Sequence, residues 1–292
     1  MNRKVLFIVS LFAFITFNLT TIAQSKKTSD AERERMKGNV MSVKEDYFYK
    51  PKQYFGFIID KHKTTSLTNF NKDGNYTYEE QPCLCSGDYL DKSYFTYNTQ
   101  GFCVEVIEYL YENQDEFPTL WRYTYKYDHY ENMIEEEWFS NGVFFCEYHN
   151  KYDTNGYLIE TIIFQPGNDS SPIKEIIKRN SYGNITEKTI FNKLDVFSSN
   201  FLYENDKKGN MIKEEHYGLE NKLLYRILFK SNKQGDVIEE KNFKYQEDTI
   251  SHDFSYYKYK YDSYGNWKKR TIYKEDGSIE SITKRKIKYY HE

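Results

Sequence analysis

The residues in this chain that could do chemistry are few and spread along its length. Cys83, Cys85, Cys103 and Cys146 are its only thiols. In an oxidising compartment four cysteines allow three disulfide connectivities, which the sequence does not separate. Cys83 and Cys85 stand too close for a relaxed bridge to each other, so a bridge from one of them to Cys103 on a neighbouring strand is favoured. Zinc is the alternative, although the spacing lacks the paired Cys-x-x-Cys form. The six histidines, His62, His129, His149, His216, His252 and His291, have no ligand spacing. No nucleophile elbow, phosphate loop or dinucleotide fingerprint occurs. The expectation is a protein without catalysis and without a cofactor.

Two patterns could still bind. Glu105, Glu135, Glu160, Glu187 and Glu239 occupy one recurrent position, with Lys213 and Lys269 in the same place elsewhere. Such residues read either as a carboxylate row for a cation or sugar, or as Glu and Lys pairing across neighbouring strands; the second is favoured. A glycosidase needs one unique carboxylate pair, which a repeating row does not offer. The densest aromatic group is Trp121, Tyr123, Tyr125, Trp138 and Tyr148. These rings are candidate ligand contacts, because tyrosine and tryptophan join a flat apolar face to a polar tip. The competing reading is that they pack the sheet.

The elements that would position these residues come from a repeat. Its turns begin at Phe70, Tyr97, Tyr127, Tyr152, Arg179, Asn205, Ser231 and Tyr261, and each places Gly, or Glu131 in one case, four residues later. The period is roughly 27 residues, in the range read as a repeat array. Two residues after the glycine stand Tyr76, Cys103, Met133, Leu158, Ile185, Met211, Val237 and Trp267. Eight residues after it stand Pro82 and then seven aromatics: Tyr109, Phe139, Phe164, Phe191, Tyr217, Phe243 and Tyr273. A strand alternates with period two, so both positions are expected on one buried face. Alternation before the turn, as in Trp121, Tyr123, Tyr125 and Tyr127, marks a second strand. The predicted fold is all-β: tandem hairpins forming one long, strongly twisted or rolled antiparallel sheet of about 16 strands. Asn132 is a candidate for the left-handed conformation where Glu131 replaces glycine. The last strand, with Lys284, Arg285, Lys286 and Lys288, reads as a charged edge.

Residues 1–23 read as a signal peptide: Arg3 and Lys4, an apolar run over 5–17, then Thr21-Ile22-Ala23. Their removal leaves 39 basic against 44 acidic residues, a net charge of −5. No basic block tracks a phosphate backbone, so nucleic acid is not an expected partner. No transmembrane span is expected once the signal is gone. Residues 24–37 read as a flexible polar lead-in or short capping helix, and residues 38–292 as the repeat domain, with 38–64 a degenerate first unit.

The turn Tyr261-Asp262-Ser263-Tyr264-Gly265-Asn266, nearly matched by Tyr152-Asp153-Thr154-Asn155-Gly156, resembles the YD repeat of Rhs-type proteins over residues 65–292. Small secreted proteins of this kind occur in the Bacteroidota. The resemblance implies consecutive hairpins and an extracytoplasmic location. Large Rhs proteins coil such a sheet into a shell around a toxic cargo, for which this array leaves no room. The expected role is a secreted or periplasmic binding or scaffolding protein whose partner is a protein or glycan at the cell envelope. The alternatives are a carbohydrate-binding module using exposed aromatic rows, and an immunity or inhibitor protein against an Rhs-type or other toxin.

Overall fold

The computed structural model describes residues 29–49, 53–54, 57–58, 63–82, 90–111, 117–166, 172–192, 194–246 and 249–291. Residues 1–23, read from the sequence as a signal peptide, and Cys83 and Cys85 lie outside these residues. A helical turn α1 (Asp30–Arg33) precedes the strands. The first strands are β1 (Val40–Tyr49), a ribbon of β2 (Gln53–Tyr54) and β3 (Phe57–Ile58), β4 (Lys63–Phe70), β5 (Tyr76–Pro82), β6 (Leu90–Tyr97) and β7 (Cys103–Leu110). There follow β8 (Thr119–Tyr127), β9 (Met133–Ser140), β10 (Val143–Tyr152), β11 (Leu158–Phe164), β12 (Ile173–Arg179) and β13 (Ile185–Phe191). The remainder are β14 (Phe197–Asn205), β15 (Met211–Tyr217), β16 (Leu223–Ser231), β17 (Val237–Gln246), β18 (Thr249–Tyr261), β19 (Trp267–Lys274) and β20 (Ile279–Tyr289).

Each predicted turn is built by its aspartate or asparagine. In the first, Asn71 Oδ1 accepts the N–H groups of Asp73 and Asn75 at 2.9 and 3.0 Å. Gly74 N–H donates to Asn71 O at 3.0 Å, with Gly74 at φ 79°. A type I turn followed by a left-handed residue forces a bulge into the hairpin. That bulge recurs at the register shifts Asn69/Phe70, Lys126/Tyr127, Lys151/Tyr152 and Lys260/Tyr261. At the exceptional turn it is Glu131 itself that is left-handed, at φ 70°. Asn132 instead donates its side-chain amide to Asp128 Oδ2 at 3.1 Å.

The extra residue in the bulge overturns the expectation of one face. Leu158 pairs with Tyr152, and Glu160 pairs with Lys151, so alternation restarts after the turn. Leu158 is buried at 1 % exposure, whereas Phe164 is 40 % exposed. The second-position residues therefore face inward, and the eighth-position rings lie on the opposite, outer face. Arg122 spreads its guanidinium over one of them, Phe139, at 5.8 Å.

From β4 to β20 every strand pairs antiparallel with the next, and β1 pairs with both β20 and β4. The all-β antiparallel sheet is thus a closed barrel of 18 strands and not an open coiled ribbon. Closure removes the edges that a long ribbon would expose. The last strand is accordingly no edge: Lys284 faces Asp46 across β1, and Lys288 faces Ser42. The eight predicted turns gather at one end of the barrel, termed here the turn end.

Two forces hold the wall. On the inside, Val106, Tyr123, Trp138, Cys146, Tyr148 and Ile163 form the largest cluster. Tyr123 and Trp138 meet edge to face at 5.0 Å and 86°. On the outside, Arg122–Glu105 (2.6 Å), Lys178–Glu187 (2.9 Å) and Lys230–Glu239 (2.8 Å) pair across strands. Exposed pairs contribute about 0.2–1 kcal/mol each, whereas one buried aromatic removes about 150–250 Å² from water at roughly 25 cal/mol/Å². The inner rings dominate stability, and the outer pairs serve solubility and register.

Candidate functional site: the barrel interior

The inner wall is ionisable as well as aromatic. Five residues after the turn glycine, the strands present Glu79, Val106, Glu136, Thr161, Lys188, Glu214, Glu240 and Arg270. Because the bulge resets the alternation, the fourth position faces out and this fifth one faces in. Glu136 and Glu214 are each 5 % exposed. Trp138 Nε1–H donates to Glu136 at 2.6 Å, and burial pushes the Glu136 carboxyl up to about 7. Burial also raises Glu214, although Tyr225 OH donates to it at 3.3 Å. Two residues along β7, Glu108 accepts from Tyr123 OH at 2.8 Å and Ser93 OH at 3.1 Å, and burial raises it too. Inner cations answer some of these charges: Lys188 lies 3.5 Å from Glu175, and Arg285 is paired with Glu45. Arg285 also sits 3.5 Å over the Trp267 ring, with Arg270 at 5.3 Å from it.

The segment over residues 29–37 crosses the turn end. Ser29 caps α1, exchanging hydrogen bonds with Glu32 in a capping box. Asp30, 3 % exposed, accepts from Tyr76 N–H at 2.6 Å and from Tyr97 OH at 3.0 Å, and is paired with Arg33. Ala31 N–H donates to Gly74 O at 2.8 Å. Farther on, Arg35 Nη1 donates to Gly235 O at 2.8 Å, and Lys37 N–H donates to Asn266 Oδ1 at 2.7 Å. The segment is thereby tied to the β4–β5, β16–β17 and β18–β19 turns.

Beneath it lies a cavity of about 410 Å³. Glu34 and Met36 of the crossing segment roof it, and β1, β4, β5 and Arg285 of β20 wall it. Its hydroxyls are those of Thr64, Ser66, Thr68 and the tyrosines Tyr47 and Tyr76. Tyr47 OH donates to Glu45, and Tyr76 OH donates to Glu34 at 3.1 Å. Glu79 has one long hydrogen bond, from Thr68 OH at 3.5 Å. Burial pushes its carboxyl up to about 7, helped by repulsion from Glu34 and Glu108.

The candidates from the sequence fall as follows. Trp121, Tyr123, Tyr125, Trp138 and Tyr148 do come together, packed on one another inside the barrel and not along an outer groove. Cys103 and Cys146 are free thiols, half-buried and buried. The fourth-position glutamates stand on the outer face, where Glu105, Glu135, Glu187 and Glu239 have Lys or Arg partners. Glu135, Glu147 and His149 form an outer group with donor atoms within 4.8 Å of one another, invisible as a spacing along the chain because two strands, β9 and β10, supply it. Lys126 already occupies Glu135, and His149 lies 2.6 Å from Glu147.

No protein-family model matches the chain, and no curated protein matches it. Solved structures align weakly. A porin-like protein from Bacteroides uniformis ATCC 8492 aligns at TM-score 0.46 and 7 % identity, over 86 % of this chain and 99 % of that one. One from Bacteroides vulgatus ATCC 8482 aligns at 0.30 and 8 % identity, over 86 % and 98 %. The complex TcdB2-TccC3-Cdc42 aligns at 0.30 and 9 % identity, over 82 % of this chain and 14 % of that one. At such scores these likenesses support no functional argument.

Proposed function

We propose that this is a non-enzymatic binding barrel of the cell envelope, acting on the secreted or periplasmic side, which holds a small polar ligand under its amino-terminal segment. The observation that carries this reading is the half-open, hydroxyl-lined cavity between that segment and the wall. Ligand sites are concave and lined by a few convergent polar groups, as this one is. The outer face supports an aqueous setting. A lipid-facing barrel wall has an apolar band about 25 Å tall, in which each midplane Lys or Arg costs about 2–4 kcal/mol. Here Lys126, Lys178, Lys213, Arg226 and Lys230 stand along that wall in ion pairs with acids. None of the helices among the described residues is long and apolar enough to cross a membrane.

Native mass spectrometry of the secreted protein tests the reading. The mature chain should keep a small-molecule adduct that a form lacking residues 24–37 loses. Bare mass in both forms would remove the reading. One outer feature favours a second, glycan-binding reading: Tyr78, Tyr94 and Tyr109 line up on β5, β6 and β7 with rings 5.2 and 6.0 Å apart. A glycan array that stays blank would dismiss it.

A further inference from the structure

We infer that the outer wall over β18, β19, β20 and β1 is a docking surface for an anionic lipid bilayer, met through the ammonium groups of Lys260, Lys269, Lys284, Lys286, Lys288 and Lys44. The repeat supplies its own control. Just ahead of the turn and directly opposite after it, five other hairpins carry Lys126 with Glu135, Lys151 with Glu160, Lys178 with Glu187, Glu204 with Lys213, and Lys230 with Glu239. Every one of these pairs joins opposite charges. In the β18–β19 hairpin the same two positions are Lys260 and Lys269, and Lys269 in turn faces Lys284 on β20. Across the seam Lys286 faces Lys44, and Lys288 faces Ser42. All six are exposed except Lys269, which is half-buried. Among the described residues that face them, Asp46 opposite Lys284 is the one acid. It already lies 3.2 Å from Lys63 and accepts from Thr65 OH at 2.8 Å.

Like charges directly opposed work against a sheet, and an anionic surface lying on all six lysines removes that repulsion. The chain as a whole is acidic, with a formal net charge of −3, so the patch is local. Its chemistry selects the partner. The guanidiniums of these strands, Arg270 and Arg285, turn inward over the Trp267 ring. A forked guanidinium is what bidentate recognition of a single carboxylate or phosphate uses, whereas a lysine is a hydrated point charge that reads potential. The outside of a barrel is convex and has no groove to seat an extended polyanion. The field of a bilayer reaches about 8 Å at physiological ionic strength, so lysines spread over a curved wall still act together. At the tip of the β18–β19 turn the exposed Tyr264, stacked on Tyr289 at 4.3 Å, offers the amphipathic ring that sits at headgroup level. This surface stands whether or not the cavity holds a ligand.

Co-sedimentation of the mature chain with vesicles tests the inference. Vesicles of phosphatidylcholine with about one third phosphatidylglycerol should carry the protein down at low salt and release it at high salt, and phosphatidylcholine alone should not bind it. Each lysine near an anionic bilayer is worth about fivefold in partitioning, so Lys269→Glu, which changes the charge by two, should weaken binding roughly 25-fold. The same variant sets an acid between Lys260 and Lys284, as the other hairpins do, and its melting temperature should rise. Lys151→Glu, on β10 half-way round the ring, changes the net charge equally and opposes two acids at Glu160. It should leave binding unchanged and lower the melting temperature. Failure to sediment with the acidic vesicles at low salt overturns the inference, as does equal binding by Lys269→Glu or by phosphatidylcholine alone. Retention on polygalacturonate or DNA without any vesicle binding would assign the lysines to a soluble polyanion and overturn the bilayer as partner.

Discussion

Glu131 holds a left-handed backbone, φ 70°, where the seven other predicted turns place glycine. A side chain in that region costs about 1–2 kcal/mol, which glycine avoids. Glu131→Gly should therefore stabilise the barrel by about 1 kcal/mol, read as a rise of roughly 2–4 °C in its melting temperature. An unchanged or lowered transition would show that Glu131 makes a compensating contact. Glu136 is the second residue whose environment predicts a measurement. Its folded carboxyl titrates near 7 against an ordinary 4.5, so the folded barrel binds the proton more tightly than the unfolded chain does. The contribution is full below about 4.5 and is lost as pH rises through 7. At roughly 1.4 kcal/mol per unit it amounts to at most about 3 kcal/mol. Asp46, Asp128 and Asp206 are lowered in the folded state and act oppositely, losing their contribution in acid. Denaturant melts should place maximum stability near pH 5, and Glu136→Gln should flatten the decline between pH 5 and 8. A decline as steep in that variant would assign the slope to other groups.

Among the elements, the hairpin was legible in the sequence and its handedness of facing was not. Alternation in Tyr123, Tyr125 and Tyr127, and the Asp-x-x-Gly turn, specify two strands and where they meet. The same turn inserts one residue, and that residue decides which side Phe164 and Leu158 take. The titratable row over Glu79, Glu136, Lys188, Glu214, Glu240 and Arg270 stood in the sequence at a constant offset from the glycine. It was hidden because counting by two across the turn assigns it to the wrong face. A further turn, Asn192 to Val196, escaped notice because Asp195, at φ 56°, stands in the glycine's place. The crossing segment was harder to foresee, since its apolar content is small and its order comes from Asp30 reaching Tyr76 and Tyr97 in distant repeats. Asp30→Ala leaves a Tyr76 N–H without its acceptor and Arg33 without its carboxylate. Breaking such contacts costs about 2 kcal/mol, or roughly 30-fold in the population of the released segment. Trypsin should cut at Arg33, Arg35 or Lys37 correspondingly faster in this variant. Equal cleavage in both proteins would mean that Asp30 does not fasten the segment.

At the scale of the molecule, one strand turns a repeat array into a vessel. The period of the repeats is local and gives every hairpin its neighbour, but ring closure pairs residues some 240 positions apart, and no local pattern announces it. Val43 faces Ile287, and the paired Glu45 and Arg285 face each other, so β1 enters the seam with inner residues matched to both sides. On the outer face the seam is poorly matched, because Lys44 stands directly opposite Lys286. Like charges directly opposed on adjacent strands are unfavourable, so their removal costs the seam nothing. Neighbouring strands bring facing Cβ atoms to about 4.5–5.5 Å, near the span of a disulfide. In a protein with Cys83 and Cys85 replaced by serine, Lys44→Cys with Lys286→Cys should oxidise to a cross-link between β1 and β20. A loop of that length is expected to raise stability by several kcal/mol, short of any strain in the bond. The cross-link should be visible as faster migration on a non-reducing gel and as a higher melting temperature that falls on reduction. If the two thiols stay free under oxidant while the fold is intact, β1 does not lie against β20, the sheet has two edges, and the cavity between β1, β4 and β20 has no wall.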